Sequence, residues 1–135
     1  MSALAPHLLT GHAEIDAHHR EFVEALAALG QAGDVTAALD RFVAHCEAHF
    51  SFENAQMEES GFPPIGCHRG EHDMVLETVR EVRKRVAAGD ARLAASLVPA
   101  LTEWFDNHVM SMDAVLARYL EQGISAQPAC GPVAA

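Results

Sequence analysis

Apolar residues recur along this chain at alternating steps of three and four, the spacing that places side chains on one face of an α-helix. Ile15, His19, Phe22, Leu26 and Leu29 form a first stripe, which Gly30 and Gly33 end. Asp34 supplies an N-cap for a second helix, whose stripe runs Leu39, Phe42, Cys46, His49, Glu53 and Met57. Ser60-Gly61-Phe62-Pro63-Pro64 breaks the chain before a third stripe of His68, His72, Val75, Val79, Val82 and Val86. Gly89 stops that helix, Asp90 is read as the cap of the fourth, and Leu97, Leu101, Phe105 and His108 form the fourth seam, with Gly123 closing the helix. No period-two alternation competes. Four amphipathic helices on short connections predict an all-α, antiparallel up-down-up-down four-helix bundle. Residues 1–12 read as an N-terminal arm, 13–122 as the bundle and 123–135 as a flexible C-terminal tail.

Two positions disturb the fourth helix. Pro99 removes a backbone donor inside the pattern and predicts a kink; the alternative is that the helix starts there. Further along, the seam changes phase. Asp113 follows His108 by five residues, which leaves the two about 140° apart on an ideal helix. Leu116 and Leu120 continue in phase from Asp113, whereas Leu101, Phe105 and His108 share the earlier phase. One extra residue in a turn, a π-bulge, reconciles them, and such bulges favour functional sites.

The polar residues on these apolar faces carry the chemistry. His49 and Glu53, four apart, share a helix face where Leu or Ile is expected. Every seam carries histidine: His19, His49, the pair His68 and His72, and His108, with Glu53 and Asp113 as accompanying carboxylates. One histidine on an apolar face is ordinarily a satisfied core residue; five converging ones are not. Burying a polar group without a partner costs about 2–7 kcal/mol, and a metal satisfies several ring nitrogens at once while neutralising carboxylates. Imidazole and carboxylate donors without thiolate spacing suit iron, manganese or zinc. Seven ligands exceed one tetrahedral zinc and suit two ions bridged by both carboxylates, a metal site in the core of the bundle. Among the other histidines, His7 and His12 read as exposed or capping residues and His18 as solvated. His45, one turn before His49, reads as a neighbour of the site or a polar lid.

Composition narrows the partners. The chain has 135 residues, half of them hydrophobic, with 9 basic against 19 acidic residues and a net charge of -10. That balance opposes nucleic acid and anionic membranes as partners. No apolar run is long enough to span a bilayer, and the first residues lack the basic and apolar regions of a secretory signal, so a cytoplasmic location is expected. Cys46, Cys67 and Cys130 show neither disulfide nor metal spacing and read as free thiols. No Gly-rich phosphate loop, serine nucleophile motif or Cys–His dyad is present.

The motifs in chain order resemble the hemerythrin family over nearly the whole bundle. Ile15-Asp16-Ala17-His18-His19 with Phe22 is similar to the family's first-helix signature, His49-Phe50-Ser51-Phe52-Glu53 with Met57 and Gly61-Phe62-Pro63 to its second, His68-x-x-x-His72 to its third, and Trp104-Phe105-Asp106-Asn107-His108 with Asp113 to its fourth. The resemblance implies two iron ions in an oxo- or hydroxo-bridged, non-haem di-iron centre, with Glu53 and Asp113 bridging. His68, His72 and His108 would hold one iron, and His19 and His49 the other, whose open position would take dioxygen. Reversible binding for storage, delivery or scavenging is the implied function, with an oxygen-consuming enzyme or a signalling protein as partner. The alternatives are an oxygen, nitric oxide or redox sensor, a peroxidase or nitric oxide reductase, and iron storage. The chain departs from the pattern at Asn54, where relatives often have a second acid, and at Phe105, where many have leucine beside the oxygen pocket.

Overall fold

The computed structural model describes residues 4–31 and 33–122. Helices α1 (Ala13–Leu29), α2 (Val35–Ser60), α3 (Ile65–Ala87) and α4 (Arg92–His108) follow one another. From α4 the chain passes through a π-helical turn (Val109–Asp113) into α5 (Ala114–Gln122). No strand occurs among the described residues. α1 packs on α2, α2 on α3 and α3 on α4, and α4 closes the ring against α1. Connections of four or five residues turn each helix back along its predecessor. The expected four-helix bundle results, its fourth member being α4, the π turn and α5 together.

Local chemistry fixes the helix ends. The His12 ring nitrogen Nδ1 accepts from the Ile15 N–H at 3.3 Å and caps α1. Asp34 Oδ1 accepts from the Ala37 N–H at 3.0 Å and caps α2. Gly61 ends α2 at φ +68°, a left-handed conformation that a side chain would strain. Asp90, by contrast, does not cap α4. The chain already turns helically at Ala91, so the first bond comes from the Leu93 N–H to the Asp90 backbone carbonyl, at 3.3 Å. Helix α4 begins at Arg92 and runs through Pro99, which therefore does not start it. Pro99 and Ala95 are both exposed, so the carbonyl that loses its donor faces water. The segment before α1 is fastened: buried Asp16 accepts from the Thr10 N–H (2.8 Å), the Thr10 hydroxyl (2.7 Å) and the Gly11 N–H (3.2 Å). Leu4 and Leu8 join the core beside α1.

The core is built in three layers. A large apolar cluster includes Phe22, Leu26, Leu39, Phe42, Phe50, Val75, Val79, Leu97, Leu101 and Phe105. A smaller one holds Ile15, Met57, Phe62, Leu116 and Ala117. On every helix the polar residues of the seam fall between the residues given to these two clusters, so the histidines and carboxylates form a layer closed above and below by hydrocarbon. The π turn makes this possible on the fourth member. It lets His108 and Asp113 both be buried while Leu116 returns to the small cluster, as the phase change along the seam requires. Cys46 is a free, buried thiol, whereas Cys67 is disulfide-bonded, which corrects the reading of free cysteines throughout. Spacing could not reveal that bond, since proximity in the fold rather than in sequence decides it. Cys130, Gly123 and the expected tail lie outside the described residues.

Deleting Ser111, an exposed residue inside the π turn, should restore a regular helix, because the seam then repeats every three or four residues from Leu101 to Leu120. We expect unchanged helical circular dichroism, a thermal midpoint at or above that of the parent, and impaired metal uptake from the shifted carboxylate. A chain that loses its helicity on this deletion would refute the phase argument.

Candidate metal centre

The middle layer gathers His19 from α1, His49 and Glu53 from α2, His68 and His72 from α3, His108 at the end of α4 and Asp113 at the end of the π turn. All are buried, at 0–2% exposure. Their placement follows from the seams: i to i+4 steps bring His49 onto Glu53 and His68 onto His72, and the five-residue π step brings Asp113 under His108. Two groups of potential ligand atoms lie within 4.8 Å of one another, Glu53 with His68, His72, His108 and Asp113, and Glu53 again with His19 and His49.

The two carboxylates divide their oxygens between these groups. Glu53 Oε1 lies 3.3 Å from His68 Nε2 and 3.2 Å from His72 Nε2. Its other oxygen, Oε2, lies 2.9 Å from His49 Nε2 and 3.7 Å from His19 Nε2. Asp113 Oδ1 is 2.9 Å from His68 Nε2 and 3.1 Å from His108 Nε2, while Oδ2 is 2.8 Å from His19 Nε2. Many of these contacts are close without being aligned as hydrogen bonds. His68 Nε2, His72 Nε2, His108 Nε2, Glu53 Oε1 and Asp113 Oδ1 are all buried without a hydrogen-bond partner. Five such atoms facing one point describe a cation site. Metal–nitrogen and metal–oxygen bonds of about 2.1 Å set neighbouring octahedral ligands about 3.0 Å apart, and the separations here cluster around that value.

Electrostatics agrees. Burial alone would raise the Glu53 carboxyl, yet His49, His19 and His68 outweigh it and hold the group well below the usual carboxylate range. At Asp113, burial and the neighbouring Glu53 charge push upward, and His108 and His19 override them. Both carboxylates are therefore anions. Burial opposes protonation of His19 and His108, but the facing carboxylates carry them up to about 9 and about 10. His68 is raised in the same way, while burial prevails at His72 and lowers it to about 4. Protons on these imidazoles balance the carboxylates, and a cation entering the layer replaces them.

Side chains around the layer orient the rings. His108 Nδ1–H donates to Glu71 Oε1 at 2.8 Å, and His72 Nδ1–H donates to Asn54 Oδ1 at 2.9 Å. Each bond turns the Nε2 lone pair inward. Asn54 thus touches a site histidine directly. Glu71 escapes sequence reasoning because it sits off the apolar seam, although its three-residue distance from His68 and its place beside His72 were the available signal. Trp104 stacks on His108 (centroids 4.4 Å) and Phe50 on His72 (4.2 Å). Phe105 meets His19 edge-on at 5.0 Å and stacks on Phe22 at 4.2 Å. His18 is half-buried rather than solvated, because its ring lies flat on His49 at 5.1 Å. His45 lies against the same ring, also at 5.1 Å. His12 caps α1, and exposed His7 lies 3.3 Å from Asp106.

A buried histidine–carboxylate layer that can hold a metal, inside a four-helix bundle, defines a metal-binding bundle protein. Residues 10–120 match the hemerythrin HHE cation binding domain. The chain is 49% identical over 114 residues to a bacteriohemerythrin of Ralstonia nicotianae, with 83% of each chain covered. It is 32% identical over 109 residues to a bacteriohemerythrin of Stenotrophomonas maltophilia, covering 76% of this chain and 71% of that one. To a hemerythrin of Siphonosoma cumanense it is 27% identical over 104 residues, covering 77% and 80%. The chain belongs to the hemerythrin family.

Replacing Glu71 with alanine removes the acceptor that orients His108 without touching the inward-facing atoms. We expect metal affinity to fall by about 10–100-fold in competition with a chelator, with helicity retained. An affinity equal to that of the parent would show that Glu71 does not orient the ring.

Proposed function

We propose that this protein binds dioxygen reversibly at a di-iron centre. The observation that carries the reading is the division of the Glu53 and Asp113 oxygens between two groups of histidines, the arrangement that two bridging carboxylates require. His68, His72 and His108 hold one iron in this proposal, and His19 and His49 hold the other. A ferrous pair, when bound, supplies the two electrons that dioxygen takes up on binding and returns on release. Five imidazoles and only two carboxylates give oxidised iron less anionic support than carboxylate-rich sites do, which favours release over further oxidation. Names of the similar proteins support the same reading, since they are hemerythrins and bacteriohemerythrins.

The protein's own side chains supply the rest. Phe105 and Phe22, stacked together, stand between His19 and an outer groove of about 320 Å³ lined by Leu8, Val23, Leu26 and Val98. They would keep water from the ion that His19 and His49 hold in this proposal. Burial, with His49 and His18 close by, drives the His45 imidazole down to about 3, so it carries no acidic proton at neutral pH. With His19 and His49 taken up as ligands, His45 adds no acidic proton on this side, which suits binding better than O–O cleavage. Among the described residues no helix is long and apolar enough to cross a membrane.

Anaerobically reduced protein, with iron counted per chain, should hold about two irons and develop a visible charge-transfer band on admission of oxygen, lost again on deoxygenation. Bleaching to an oxidised form that no longer binds oxygen would overturn reversible binding in favour of sensing or peroxidase chemistry, and loading far beyond two irons would point to storage. Phe105→Leu should accelerate autoxidation by up to about tenfold, equivalent to about 1.4 kcal/mol of barrier. An unchanged rate and oxygen affinity would remove Phe105 from the pocket wall.

A further inference from the structure

Outside the central layer, a second group of metal-ligating side chains forms on the face shared by α1 and α2. His18 and Glu21 lie three apart on α1, and His45 faces them from α2. One potential ligand atom from each lies within 4.8 Å of the others. Glu21 Oε1 is 3.5 Å from His45 Nδ1. Bonds of about 2.1 Å around a tetrahedral ion place ligands about 3.4 Å apart, so that pair already stands at coordinating distance. His18 Nδ1 is shielded from solvent and meets no hydrogen-bond partner. A buried nitrogen of this kind is costly unless something else satisfies it. Glu21 is 66% exposed at its side chain and can swing to close the set from the solvent side.

We propose that His18, Glu21 and His45 form a separate site for one divalent transition-metal ion. Two imidazoles and a carboxylate form a donor set suited to zinc-class ions, with the outer position left for water; magnesium and calcium prefer all-oxygen cages. The site stands apart from the central layer because the His49 ring intervenes, with His18 stacked on its outer side at 5.1 Å. It does not depend on which metal fills the centre.

Zinc chloride titrated into the iron-loaded protein tests the assignment by calorimetry and by metal analysis after desalting. The expected result is one zinc per chain with the iron content unchanged. Glu21→Ala, at an exposed helical position where alanine is well tolerated, should weaken zinc binding by about tenfold or more, and His45→Gln should do the same. No zinc uptake, zinc gained only as iron is lost, or equal binding by the Glu21→Ala protein would each overturn the proposal.

Discussion

Two carboxylates and five imidazoles share one dry layer of this bundle, and the rest of the molecule answers to that fact. An ion without a counter-charge in such a place costs several kcal/mol, so no member of the set can be removed without stranding another. Glu53 illustrates the dependence, since it touches four histidines from three helices. The helices cannot slide or rotate independently while that carboxylate is shared. The apolar clusters on either side make the layer dry, and dryness makes each charge pairing strong. Stability and site geometry are the same problem here.

Much of this was legible in sequence because the polar residues interrupt otherwise regular apolar stripes. The π turn was legible for the same reason: Leu116 and Leu120 are out of phase with Leu101 and Phe105, and only an extra residue accommodates both. The features that escaped lie off the seams. Glu71 and Asn54 contact site histidines from positions that ordinary helical patterning assigns to the half-exposed flank. His18 was misplaced because angular position on α1 says nothing about how closely α2 approaches, and it is the His49 ring across that interface that covers it. Asp90 misled for a different reason, since a good capping residue has no effect where the preceding backbone has already become helical. Domain limits at residues 12 and 122 stay readings of the pattern, with the segment before α1 pinned through Asp16 more firmly than its composition suggested.

The surroundings of the layer differ from side to side. His108 and His72 give their outer nitrogens to Glu71 and Asn54, and both rings are covered flat by Trp104 and Phe50. His19 and His49 have no such acceptor at Nδ1 among the described residues, and their walls are Phe105, Phe22, Phe50 and the rings of His18 and His45. An acceptor at the outer nitrogen raises the basicity of a ligand histidine and fixes its tautomer. Two of the three histidines on one side are fixed in this way, His68 Nδ1 having no partner, against neither on the other, so the side with three is the more tightly specified. On the side with two, only the inward nitrogens are bonded, His19 Nε2 with Asp113 and His49 Nε2 with Glu53, and the outer faces of both rings meet aromatic side chains. A small neutral molecule that must arrive and leave is better served by the second environment, so the asymmetry of the outer contacts, and not the ligand set alone, supports the proposal that dioxygen would bind on the side of His19 and His49.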